Sequence, residues 1–264
     1  MPPARMQLSP TTYLLWSTTT LLAVVVCAFA FYRRLFAWLP FFTSYLGLLL
    51  VRDLVLWSVY LGFGYSSAYA FYYFWLSQAL LLSARGAAVA ELAWRALREY
   101  RGIWGFGWRL LSLLALVLLV IAAWDAGGNV HWVPSFILAL ERGLEFVVAG
   151  VLLALLLLGG YYGMPLEPVQ RSVALGLCFY STFQVLNNTL LRQWLRQYFE
   201  LGNDLRVAST GVALVIWLVA LLKPLTAARP APVLLSQQVY DQVSPRVNYR
   251  LRALNQKLLE MFEA

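Results

Sequence analysis

The residues of this sequence best able to do chemistry are ionisable side chains set inside long apolar runs. Arg52 and Asp53 are neighbours in one run, and Glu141, Arg142 and Glu145 fall within five residues of another. At the centre of a bilayer each costs about 2.5–3.5 kcal/mol, so each should face a partner or a cavity. Glu141 and Glu145 are one helical turn apart and share a face, while Arg142 and Glu145 can pair at three-residue spacing. A helical rise of about 1.5 Å per residue puts Arg52 and Asp53 about 13–15 Å below the outer end of their run. The same arithmetic puts Glu141 and Glu145 about 10–16 Å below theirs. Gln78 and Gln184 reach similar levels on two further runs, with Asn187 and Asn188 shallower.

One polar layer drawn from several helices supports two readings. It is a salt-bridge and amide network that fixes helix order, or an outward-facing pocket for a small ligand or a proton path. Either way, the expected partner of Asp53 or Glu141 is an arginine across a helix interface. Arg85, Glu91 and Arg95 fall near the inner end of a long run, where snorkelling to the headgroups is the expected arrangement.

Other chemistries find no support. The one histidine, His131, stands beside Trp132 in a short outer loop and reads as an interfacial residue, which excludes a haem held by two histidines. No metal site and no cofactor are expected. The lysine of the last run, Lys223, is followed by Pro224 at the inner end, so a mid-membrane retinal Schiff base is excluded. Cys27 and Cys178 lie inside apolar runs and read as small hydrophobes. Gly159-Gly160-Tyr161-Tyr162-Gly163 lacks the lysine of a phosphate loop and reads as a turn. No nucleophile elbow or His-Glu-x-x-His is present, and the chain is not expected to be an enzyme.

The elements that must position the polar layer follow from composition. Of the 264 residues, 61% are hydrophobic and only 12% charged, half the charged share of a soluble domain. Seven runs, roughly 12–31, 36–61, 68–91, 110–124, 135–159, 169–191 and 205–223, approach the length needed to cross the hydrocarbon. In lipid each must be helical to satisfy its own backbone, and their Leu- and Ala-rich texture argues against a barrel. The expected fold is therefore all-α, a polytopic seven-helix bundle over residues 1–228 followed by a tail over 229–264.

Arg33, Arg34, Arg95, Arg98, Arg101, Arg109 and Arg171, with the tail after Lys223, gather on one set of connections. That bias puts the C-terminus in the cytoplasm and the N-terminus outside. Arg192, Arg196 and Arg206 fall on the opposite side and disagree, partly offset by Glu200 and Asp204. That connection is expected to form an amphipathic surface helix. Tryptophans sit near both ends of the runs, Trp16, Trp57, Trp124, Trp132 and Trp194 outside and Trp38, Trp94, Trp104 and Trp108 inside, as an aromatic belt. Ala28-Phe29-Ala30 resembles a cleavage site, but Arg33 and Arg34 hold that end in the cytoplasm, so the first run reads as a retained helix.

In the tail, Ser244-Pro245 starts a helix on which Val247, Leu251, Leu254, Leu258 and Met261 recur at four-three spacing. It reads as a surface helix on the inner leaflet or as a partner-binding helix. The net charge of +8 is accounted for by the basic cytoplasmic connections, and no nucleic acid is expected as a partner. The expected partners are the lipid bilayer and other membrane subunits or further copies of the chain, in a bacterial cytoplasmic membrane. The expected function is a non-catalytic sensor-like or scaffolding subunit of a larger membrane complex. The alternative is a transporter of a small solute or ion through the outer-half pocket.

Overall fold

Pro40 and Pro168 each open a long helix, where a missing amide and a fixed φ cost nothing. The computed structural model describes residues 10–64, 67–98, 101–128, 132–162, 166–193, 199–223, 253, 256–257 and 260–261; for 101–102, 161–162, 188–193, 199–201 and 203 the description is limited to the backbone. Among the described residues, helices run in the order α1 Pro10–Tyr32, α2 Leu35–Trp38, α3 Pro40–Phe63, α4 Ala68–Leu97, α5 Arg101–Ala126, α6 Trp132–Tyr162, α7 Pro168–Gln193 and α8 Phe199–Leu222. Among the described residues there is no strand.

Five of these helices are long and apolar enough to cross a membrane: α1, α3, α5, α6 and α8. The protein is all-helical and membrane-embedded. The helices α4 and α7 are as long, at 30 and 26 residues, but carry the amides and charges that lower their apolarity. Large apolar side chains stay exposed along the outer surface, among them Leu116, Val120 and Ile121 of α5 and Leu153 and Leu157 of α6. A water-soluble monomer would not leave that much apolar surface uncovered, whereas acyl chains solvate it readily.

Local signals set the connections. Arg34 takes a left-handed conformation (φ 51°) between α1 and α2, and Leu35 and Leu39, which follow it, are buried. Gly64, at φ 80°, ends α3 where a side chain would be strained. Ser67 caps α4 by accepting from the Ala70 amide at 3.1 Å.

Neighbouring helices close a ring in the order α1, α3, α4, α6, α7, α8 and back to α1, with α5 outside it against α6. Thr12 of α1 donates to Asp204 of α8 at 2.6 Å, so these two helices start at the same end of the ring. Two glycines permit the closest approaches. A Cβ at Gly176 of α7 would run into the Trp217 indole of α8, and one at Gly143 of α6 would meet Leu118 of α5. Trp217 is 2% exposed, donates to the Val173 carbonyl at 3.3 Å, and meets Phe42 edge-on at 5.1 Å. Trp217 thus anchors an apolar contact between α3, α7 and α8.

Glu91, near the C-terminal end of α4, holds the start of α3. Its Oε2 accepts from the amides of Phe41 and Phe42 at 3.1 Å each, and its Oε1 lies 3.6 Å from Arg95 Nε. A carboxylate at a helix N-terminus satisfies orphan donors and complements the helix dipole. The snorkelling expected of Glu91 is replaced by this clamp, because α3 begins beside the end of α4 and presents free amides there.

Candidate functional site

The polar groups of α4, α6, α7 and α8 turn toward the interior of the ring. Glu145 of α6, with no exposed surface, is ion-paired with Arg85 of α4, itself 3% exposed. The Arg85 guanidinium also lies over the Tyr180 ring at 4.5 Å and the Tyr45 ring at 5.6 Å, and donates to the Tyr180 hydroxyl at 3.4 Å. One cation therefore touches α3, α6 and α7. The snorkelling expected of Arg85 does not occur. The helix α4 runs on to Leu97, so Arg85 lies about 18 Å from its inner end, too deep for its side chain to reach the headgroups.

One turn outward on α6, Glu141 accepts from Gln78 Nε2 of α4 at 2.9 Å and from Arg206 Nη2 of α8 at 2.8 Å. Arg206 was expected on an outer connection; it lies inside α8, which begins at Phe199. One of the three arginines that disagreed with the charge bias is thus the partner of a buried carboxylate. Spacing to other acidic residues along the chain gave no sign of this, because Glu141 is 65 residues away.

The local pairing of Arg142 with Glu145 is not formed. Arg142 is exposed, and Glu145 faces Arg85. Once α6 turns Glu141 and Glu145 into the ring, the residue after Glu141 points about 100° away, toward the outer surface. Arg52 and Asp53 stay within electrostatic reach of each other but differ in their other neighbours. Arg52 lies over the Phe74 ring of α4 at 5.2 Å and within electrostatic reach of Arg206, Tyr180 and Glu141. Asp53 lies within reach of Trp16 and Thr20 of α1, and among the described residues it forms no ion pair with an arginine across a helix interface.

Gln184 of α7 is 1% exposed and stands one turn outward from Tyr180 on the same face. Asn187 donates to the Gly202 carbonyl of α8 at 3.1 Å, tying the outer ends of α7 and α8. The side chain of Asn188 lies outside the described residues, as do Val247, Leu251, Leu254 and Leu258 of the tail. Met261 is helical and 65% exposed. Among the described residues no group of three or more His, Cys, Asp or Glu is placed to hold a metal ion.

A small recess lies elsewhere, at the inner end, where Arg33, Leu35, Trp38, Leu39, Glu167, Val169 and Gln170 line about 10 Å³. That is room for about one water. The polar layer is by contrast occupied by its own side chains, and chemically it can hold helices together, exchange protons or coordinate an anion. Compared with known proteins, the chain matches no family model, no curated protein and no solved structure.

Proposed function

We propose that this chain is a non-catalytic membrane component, a sensor-like or scaffolding subunit of a larger membrane assembly. In this reading all seven long helices cross a bacterial cytoplasmic membrane, with the N-terminus outside and the C-terminus in the cytoplasm. The closed ring supports the count, since α4 and α7 keep their polar faces inward and so need not expose them to lipid. The basic residues at the inner end, Arg33, Arg34, Arg95, Arg98 and Arg171, support the orientation.

The observation that carries the functional reading is the commitment of both buried carboxylates to neighbouring helices, Glu145 to Arg85 and Glu141 to Gln78 and Arg206. Carboxylates so engaged fix the relative placement of α4, α6 and α8. The exposed apolar outer faces are then free for lipid or for a companion helix. The test is purification in mild detergent from the native source, with identification of co-eluting proteins. A stoichiometric companion is the expected result. A chain that always elutes alone, together with solute or proton uptake abolished by joint Glu141→Gln and Glu145→Gln substitution, would favour transport instead.

A further inference from the structure

On the assembly reading, we propose that the outward face of α6 receives a transmembrane helix of a companion protein that carries an aspartate or glutamate level with Arg142. The helix α6 packs against α4, α5 and α7. The side left open carries Arg142, Phe146, Gly150, Leu153 and Leu157, all exposed and spaced to share one face. Arg142 lies ten residues, about 15 Å, inside the start of α6. The other arginines of the polar layer each have a carboxylate within electrostatic reach: Arg52 has Asp53, Arg85 has Glu145 and Arg206 has Glu141. Among the described residues nothing pairs with Arg142. A solitary guanidinium among acyl chains is costly, and a carboxylate on a neighbouring helix relieves that cost through two parallel hydrogen bonds.

A second, independent feature marks the same face. Glycine weakens a helix relative to alanine, so its place within α6 needs a reason. At Gly143 the reason lies inside the chain, because a Cβ would meet Leu118 of α5. At Gly150 it does not: a Cβ would stand in open space, and the exposed Ala154 follows one turn on. Small residues four apart form the notch into which a membrane helix packs closely. A second copy of this chain fits the face poorly. A two-fold axis along the membrane normal would set Arg142 beside Arg142, and the carboxylates of the layer, Asp53, Glu141 and Glu145, are engaged within their own ring.

The test uses the full chain in lipid vesicles with three synthetic transmembrane peptides. They are identical Leu- and Ala-rich helices bearing Glu, Gln or Leu at one site about 15 Å from one end. Association is read by energy transfer between a dye on the chain and one on the peptide. The Glu peptide should associate about three- to tenfold more tightly than the Leu peptide, with the Gln peptide between them. Arg142→Gln should remove the advantage of Glu. Gly150→Leu should weaken all three, while its unfolding midpoint stays at or above that of the unsubstituted chain, since the added side chain meets nothing within the fold. Equal association of the three peptides, as expected of an arginine satisfied by headgroups, or a Glu advantage kept in Arg142→Gln, would overturn the proposal. So would energy transfer between two differently dyed copies of the chain that Gly150→Leu abolishes, which would assign the face to self-association. In native membranes, a companion that still co-elutes after joint Arg142→Gln and Gly150→Leu substitution would leave the assembly role standing and refute this face as its site.

Discussion

Arg206 of α8 donates to Glu141 of α6 across 2.8 Å, although 65 residues and the whole of α7 separate them in the chain. The contact ties the outer part of α8 to the outer third of α6. Charge-assisted hydrogen bonds of this kind contribute about 1.5–3 kcal/mol when one partner is buried.

Replacing Arg206 with Gln should therefore destabilise the protein by about 1.5–2 kcal/mol, the lower part of that range because the Arg206 side chain is 32% exposed. Arg142→Gln, on the exposed side of the same α6 segment, should change stability by no more than about 0.5 kcal/mol. Thermal melts of both variants in one detergent check the pair. Equal losses would mean that Arg206 is not held by Glu141.

Glu91→Ala removes the acceptor of two amides at the start of α3 and the neighbour of Arg95. The expected cost is about 1–2 kcal/mol, with faster hydrogen exchange at Phe41 and Phe42. Unchanged exchange at those two amides would show that water or another group replaces the carboxylate freely.

Gly176→Val puts a branched side chain where the Trp217 indole already sits. Overpacking should cost about 1–3 kcal/mol and separate α7 from α8. The measurement is the unfolding midpoint, and joint substitution with Trp217→Leu should recover part of the loss. A loss that the second substitution deepens would point to a different neighbour.

The long helices themselves were legible because lipid leaves an apolar run little choice but to be helical, whereas the ends were not: the run expected over 36–61 breaks at Leu39, and Pro40 opens α3. Nor were their rotations. Where nearly every residue is apolar, no stripe marks the inward face, so depth could be counted but direction could not. Depth placed Gln78, Glu141, Glu145 and Gln184 in one layer, and all four are buried. Direction would have been needed to see that Asp53 lies within reach of α1 and that Arg142 points outward. Arg85 and Arg206 were misread for a related reason. The apparent edges of their apolar runs fall short of the true ends of the helices, so residues inside α4 and α8 looked terminal.

The central claim is that Arg85 and Glu145 are bound to each other inside the ring, and a double-mutant cycle tests it most directly. Arg85→Met and Glu145→Leu singly should each destabilise the protein by about 3–5 kcal/mol, because each strands a buried charge. The double variant, with no charge left to strand, should recover most of that loss, giving a coupling of at least about 1 kcal/mol by thermal unfolding in detergent. Additive losses, with no recovery in the double variant, would contradict the pairing and with it the reading of the polar layer as the device that holds these helices together.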